Sequence, residues 1–166
     1  LDFPTVGEPH YAQALPAKLI KDRQVRVFAI AENNDPYATK RVQDTRVQRR
    51  GTRVDVYMTA IRSNFMPDNI EGIQLGDSVF FHVTNLEQDW DVPHGFAMMG
   101  NRNAELLIMP GRTRTLVWVP QRVGVYPFYC TDFCSALHQE MQGYVRVSER
   151  GANVPLAWNG PNGTLR

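Results

Sequence analysis

The sequence predicts an all-β protein, built as an antiparallel sandwich or barrel. From Arg53 onwards, runs of strand length follow one another and are rich in β-branched and aromatic residues. Turn-forming pairs such as Gly76-Asp77, Gly100-Asn101 and Pro110-Gly111 separate these runs. Short strands with turns at this spacing favour two packed antiparallel layers or a closed barrel.

Six strands are predicted, and hydrophobic alternation defines them best where one face is apolar. In the run Ser78-Val-Phe-Phe-His-Val-Thr84, for example, Val79, Phe81 and Val83 share one face and His82 lies on the other. The predicted strands cover residues 53–61, 78–85, 94–99, 114–120, 124–130 and 143–148. A single helical turn over residues 135–141 is compatible with the pattern.

The remaining segments flank one domain. Residues 1–50 contain four prolines and no sustained periodicity, so they are predicted to form an extended arm or linker, with a short strand within 21–30. Residues 51–150 form the predicted domain. Residues 151–166, rich in Gly, Asn and Pro, are predicted to be a poorly ordered tail. The first residue is Leu rather than Met, and we expect a processed or excised piece.

Composition indicates a single domain with a proper core and gives no sign of a nucleic-acid or membrane partner. The 166 residues are 43% hydrophobic and carry a net charge of +1. Basic residues cluster within 40–53, but no aromatic residue is interleaved with them, so a solvated linker is favoured over a nucleic-acid surface. No apolar run reaches the length of a membrane span.

The most informative segment runs from Cys130 to Met141 and contains both cysteines of the chain, together with His138. Thiolate, imidazole and thioether are the donors of His2Cys copper sites with a weak axial Met. One such copper needs a single thiolate, so Cys134 would be surplus unless the two thiolates bridge two metals. The alternative is a disulfide or a reduced pair in the core, which would not call for His138 and Met141 at these offsets.

A binuclear site needs a second imidazole from elsewhere in the chain. His82 is predicted to be a surface histidine, because strand alternation turns it away from the apolar face. His10 lies in a segment without a strand pattern. His94 follows a polar loop, between Pro93 and Gly95, which shape the backbone there. We therefore favour His94 as the second histidine ligand.

The segment resembles the ligand loop of the binuclear copper A centre, C-x3-C-x3-H-x2-M, found in cytochrome c oxidase subunit II and nitrous oxide reductase. The sequence Ala136-Leu-His-Gln-Glu-Met141 within this loop is similar to that of nitrous oxide reductases. Oxidase subunits typically have Gly directly after the second Cys, whereas this chain has Ser135. The surroundings of His94 and the aromatic approach Val125-Tyr-Pro-Phe-Tyr-Cys130 are also similar. The resemblance implies a cupredoxin-like Greek-key β-sandwich or barrel with an extended N-terminal arm.

The resemblance also implies a ligand set and a function. Two copper ions would be held by His94, Cys130, Cys134, His138, Met141 and the backbone carbonyl of Asp132, a position where many of these reductases carry Trp. The domain would be periplasmic. It would pass single electrons from a c-type cytochrome or small copper protein to a tetranuclear copper site on a β-propeller domain of the parent homodimer. With only four histidines, the chain cannot build that catalytic site itself.

Two alternatives stay open from sequence. One is the copper A domain of a cytochrome c oxidase subunit II. The other is a non-redox sandwich whose two cysteines and two histidines bind structural zinc, which accepts such a set tetrahedrally. Acidic residues Glu87, Asp89 and Asp91 precede His94, and serve either docking of a basic partner or ordinary loop solubility.

Overall fold

The computed structural model describes residues 35–62, 64–89, 91–100, 105–131 and 141–165. They form eleven strands in two sheets, preceded by a short 3-10 turn at Val42–Asp44. The strands are β1 Arg46–Arg50, β2 Arg53–Ile61, β3 Asn64–Met66, β4 Asn69–Gln74, β5 Ser78–Asn85, β6 His94–Met98, β7 Glu105–Ile108, β8 Thr113–Trp118, β9 Gly124–Tyr129, β10 Gln142–Ser148 and β11 Ala157–Trp158. The all-β prediction is confirmed.

The two sheets pack face to face as a sandwich. One sheet has the order β1-β2-β5-β8, with β3 paired to the end of β2, and the other has the order β11-β4-β10-β9-β6-β7. Strands β2 and β5 run parallel, as do β4 and β10, while the other pairs are antiparallel. Within the described ranges, no helix has the length and apolar character that crossing a membrane requires.

Aromatic side chains fill the space between the sheets. Phe65, Phe81, Phe96 and Phe128 are all fully buried, and their ring centroids lie 5.2 to 6.1 Å apart in edge-on and tilted arrangements. Such geometries are the favourable ones for aromatic pairs. Phe128 comes two residues before Cys130, so the strand that leads to the first cysteine is fixed in the core.

Segments assigned to the arm and the tail also contribute to the sheets. The solvated-linker prediction is wrong for Arg46–Arg50, which forms β1 and pairs with β2 along its whole length. The prediction of a poorly ordered tail is wrong for Ala157–Trp158, which pairs with β4. The predicted strand within 21–30 lies outside the described residues, and so do the prolines of residues 1–34. The division of the chain at residues 50 and 150 stays a prediction.

Asp77, at the turn between β4 and β5, binds arginines from β1 and from the chain directly after β10. Its side chain is fully buried and accepts two hydrogen bonds from Arg49 at 2.9 Å, one from Arg150 at 2.8 Å and one from the Gln74 backbone at 2.8 Å. Burial opposes ionisation, but these donors hold the pKa of Asp77 below its ordinary value. The carboxylate therefore connects β1 and the chain after β10 to the core turn.

Candidate metal centre

Three of the predicted ligands lie where strands begin or finish, at the same end of the six-stranded sheet. His94 begins β6, Cys130 directly follows β9, and Met141 directly precedes β10. Because β9 and β10 are antiparallel neighbours, with Tyr129 opposite Gln142, their ends meet. The Cys130 backbone N–H donates to the Met141 carbonyl at 3.0 Å. The structure thus brings the first cysteine and the methionine together.

The backbone of β10 approaches the core closely just after Met141. A Cβ added at Gly143 would collide with the Phe128 ring and with the Asp68 carbonyl oxygen. Only glycine fits such a close approach without displacing a neighbour. Gly143 therefore lets β10 pass over Phe128, which sets the position of Met141 relative to the end of β9.

The three side chains are buried, and their donor atoms suit a soft metal. His94 is fully buried, Cys130 is 4% exposed and Met141 is 1% exposed. Imidazole, thiolate and thioether are the donors that copper takes in cupredoxin sites. In the described part of the chain no three His, Cys, Asp or Glu side chains form a group, and Asp132, Cys134 and His138 lie outside it. Residues 135–140 of the helical turn predicted over 135–141 lie outside it as well.

The two ring nitrogens of His94 have different surroundings. Nε2 lies 2.9 Å from Glu87 Oε2, and because an ionised carboxylate can only accept, Nε2 carries the proton and donates. Nδ1 is buried and has no hydrogen-bond partner among the described residues. The ring also interacts with Cys130. A buried nitrogen lone pair beside a cysteine fits a metal ligand, because an unpaired buried polar atom is otherwise costly.

Charges around His94 shift the pKa values of both partners. Burial opposes the charged imidazolium, but Cys130 and Glu87 together raise the pKa of His94 above its ordinary value. Burial also opposes ionisation of Glu87, but His94 and the Arg62 backbone N–H hold the pKa of Glu87 below its ordinary value. Glu87 is therefore a carboxylate at neutral pH.

Sequence reasoning missed the residues that support His94. Glu87 accepts from the Arg62 backbone N–H, and the Arg62 guanidinium lies 3.5 Å from its other oxygen. The Glu87 N–H donates to Asn85 Oδ1 at 2.8 Å, while Asn85 Nδ2 donates to the carbonyls of Val92 at 3.0 Å and Ile108 at 2.9 Å. The signal available in the sequence was an Asn and a Glu at a strand end, nine and seven residues before His94.

The structure corrects the prediction that His82 is a surface histidine. Its side chain is 1% exposed, although it lies on the face of β5 opposite Phe81, as the alternation predicts. Tyr37 covers this face and stacks on the His82 ring with centroids 4.1 Å apart. His82 Nε2 donates to Asp55 at 2.7 Å, and Nδ1 accepts from the Thr115 hydroxyl at 2.8 Å. Both ring nitrogens are engaged, so His82 has no lone pair to offer a metal.

Asp55 gives acid unfolding a defined pH dependence. Burial opposes its ionisation, but Arg53 and His82 lower its pKa to about 2. A lowered carboxyl pKa stabilises the fold above the unfolded-state value near 3.9, and this contribution is lost as pH falls through about 2. We expect Asp55→Asn to cost about 2 kcal/mol of unfolding free energy at pH 7, with the difference from wild type shrinking between about pH 4 and pH 2.

Urea unfolding of the metal-free chain at several pH values measures this difference. Asp44→Asn is the matched control, because Asp44 forms an exposed pair with Arg41 that is worth little. A constant difference between Asp55→Asn and wild type from pH 4 to pH 2 would contradict the assigned role of Asp55.

Curated relatives fall into two groups of oxidoreductases. Nitrous-oxide reductases of Stutzerimonas stutzeri and Cupriavidus necator are 32% and 33% identical, over 88% and 85% of this chain. Cytochrome c oxidase subunit 2 of Thermus thermophilus is 31% identical over 62% of this chain and 72% of its own length. The chain belongs to the copper A domain family. Copper-containing electron-transfer domains of these two oxidoreductases make up this family.

A solved structure with a similar fold confirms the architecture, and the curated relatives show which share of a longer protein this chain corresponds to. A chain of a heme-copper terminal oxidase dimer superposes with a TM-score of 0.52 at 23% identity, over 78% of this chain and 91% of that chain. The predicted cupredoxin-like β-sandwich is confirmed. The chain spans about a quarter of the length of the nitrous-oxide reductases that it matches, 24% for that of Stutzerimonas stutzeri. A comparison with protein-family models gives no match.

Proposed function

We propose that this copper A domain carries a binuclear copper centre and belongs to a nitrous oxide reductase. The observation that carries the proposal is the state of His94, whose Nε2 is fixed by Glu87 while its buried Nδ1 lies without a partner among the described residues. The similarity to nitrous-oxide reductases extends over 157 residues, against 103 residues for the oxidase subunit. The extra length supports the reductase over the oxidase.

The ligand set follows the predicted loop. His94 Nδ1 and Met141 would bind one copper, His138 and the Asp132 carbonyl the other, and Cys130 and Cys134 would bridge them. The pair of coppers would supply one-electron redox chemistry. The residues of this chain hold the donors in place from three strand ends and exclude water, since His94, Cys130 and Met141 are at most 4% exposed. A dry, rigid site needs little rearrangement when its charge changes.

The place of the domain in electron flow follows from the parent enzyme. A soluble periplasmic donor, such as a c-type cytochrome or a small copper protein, would deliver electrons to the centre. The centre would pass them to the tetranuclear copper site on the catalytic β-propeller domain of the homodimer, where nitrous oxide is reduced to dinitrogen. The chain has four histidines, two of which are proposed ligands of the copper A centre, so we expect no nitrous oxide reduction by this chain alone.

Metal analysis and spectroscopy of the copper-loaded chain test the proposal. We expect two coppers per chain, intense visible absorption and an electron paramagnetic resonance spectrum of one electron shared by two coppers. One copper with a blue-copper spectrum would contradict the binuclear assignment. A colourless protein that retains one zinc in competition with copper would support the structural-zinc alternative instead.

A second candidate is the copper A domain of a cytochrome c oxidase. It is favoured by the oxidase subunit of Thermus thermophilus, of which this chain covers 72%. Both candidates predict the same centre, so the parent protein has to be assayed. Full-length protein that reduces nitrous oxide with a reduced donor supports the reductase, whereas oxygen consumption in a complex with haem subunits supports the oxidase.

A further inference from the structure

Glu87 is a buried carboxylate whose two oxygens contact His94 and Arg62. It is 7% exposed, and leaving such a group ionised is costly unless it is paired and hydrogen-bonded. Its Oε2 accepts from both His94 Nε2 and the Arg62 backbone N–H, and its Oε1 faces the Arg62 guanidinium. Both oxygens are therefore engaged, and one of the partners is a proposed copper ligand.

We propose that Glu87, held by Arg62, is the positioning residue that fixes the tautomer and direction of the His94 ring for copper. Glu87 accepts a hydrogen bond from the Nε2–H group of His94. The proton is thereby kept on Nε2, and the lone pair of Nδ1 is left to bind the metal. Carboxylates commonly support metal-bound histidines in this way and raise their basicity. This inference rests on the proposed copper centre, but the tautomer itself exists without metal.

Neighbouring contacts make Glu87 rigid. Asn85 accepts from the Glu87 N–H at 2.8 Å and ties the following loop to β7 through the Ile108 carbonyl at 2.9 Å. The Arg62 guanidinium also reaches Asp89 at 3.0 Å, and Asp89 is 46% exposed. A series of hydrogen bonds and ion pairs thus connects the proposed copper ligand to the protein surface. It runs through His94, Glu87, Arg62 and Asp89.

The carboxylate also acts electronically on the copper. A negative group hydrogen-bonded to the far side of an imidazole increases its electron donation, which favours the more oxidised metal. Removing the charge while keeping the hydrogen bond should raise the reduction potential. Removing both should also free the ring to exchange tautomers, and the loss of such an outer-shell partner typically weakens metal binding about 10- to 100-fold.

Two variants separate the hydrogen bond from the charge. Glu87→Leu keeps the approximate size but offers no acceptor, and Glu87→Gln keeps an acceptor oxygen at the Oε2 position without the charge. We expect the His94 proton on Nε2 in wild type and Glu87→Gln, and divided between both nitrogens in Glu87→Leu. Long-range proton–nitrogen correlation spectra of the metal-free chain, recorded under reducing conditions and above the raised pKa of His94 so that the imidazole is neutral, report this directly.

Copper-loaded protein gives the second measurement. We expect copper affinity, measured by chelator competition, to fall about 10- to 100-fold in Glu87→Leu and to recover largely in Glu87→Gln. The reduction potential of Glu87→Gln should exceed that of wild type. Glu71→Gln is the matched control, because Glu71 pairs with Arg146 on the sheet surface at 3.7 Å, and it should change none of these quantities.

The outcomes distinguish this inference from the proposed function. An unchanged tautomer in Glu87→Leu, or an unchanged potential in Glu87→Gln, would overturn the positioning role even if wild type binds two coppers. A wild type that binds no copper would overturn the proposed function, while the tautomer measurement would still decide whether Glu87 orients His94. If Glu87→Leu does not fold, the Glu87→Gln potential decides the inference.

Discussion

Replacing Cys130 with Ser should abolish the binuclear copper centre and its visible absorption. The hydroxyl of Ser does not ionise near neutral pH, so it cannot replace a thiolate as a bridge between two soft metal ions. Ser is close to Cys in size, and the backbone N–H of residue 130 would still reach the Met141 carbonyl, now 3.0 Å away. The fold should therefore survive while the centre is lost.

The measurement is the visible and electron paramagnetic resonance spectrum after copper loading, together with the copper count per chain. Cys134→Ser should behave in the same way, because a bridge needs both sulfurs. Thr131→Ser, an equally conservative change next to Cys130, should keep the wild-type spectrum. A single Cys variant that retained the shared-electron spectrum would show that its sulfur does not bridge the coppers.

Strands whose alternation is strong could be predicted from sequence to the residue. Strands β2 and β5 begin and end where they were predicted, because each carries an unbroken alternating row of buried apolar residues. Strand β1 was missed because arginine and glutamine dominate it, with Val47 as its buried apolar residue. Strand β4 was missed because Asn, Glu and Gly interrupt its apolar residues. In both, pairing with a central strand outweighs weak propensity.

The ligands could be proposed from sequence because five of the six lie within the twelve residues 130–141, and His94 was the best placed of the remaining histidines. The residues that hold His94 in place could not be proposed from sequence. Arg62 and Glu87 are twenty-five residues apart in the chain and meet only because β2 and β5 are parallel neighbours that end together. His82 shows a related limit. Alternation assigns a residue to a face of a strand, but it does not reveal that Tyr37 covers that face.

The corrected environment of His82 leads to opposite expectations for two histidine variants. His94→Ala should disrupt the copper spectrum, because it removes the proposed Nδ1 ligand. His82→Ala should leave the spectrum of the folded protein unchanged, since both His82 ring nitrogens are bound to Asp55 and Thr115. The two side chains are both buried, so each variant serves as the control for the other.

The cost of His82→Ala should appear in stability instead. The change removes the ring that stacks on Tyr37 at 4.1 Å and the donor that lies 2.7 Å from the buried Asp55. Losing a partner of a buried charged group and an aromatic contact together should cost about 2–4 kcal/mol of unfolding free energy. Asp55 keeps Arg53 at 3.0 Å, so the chain should still fold. Urea unfolding of the metal-free protein measures the loss through the midpoint at unchanged slope. Wild-type stability with a disrupted copper spectrum would assign His82, rather than His94, to the metal.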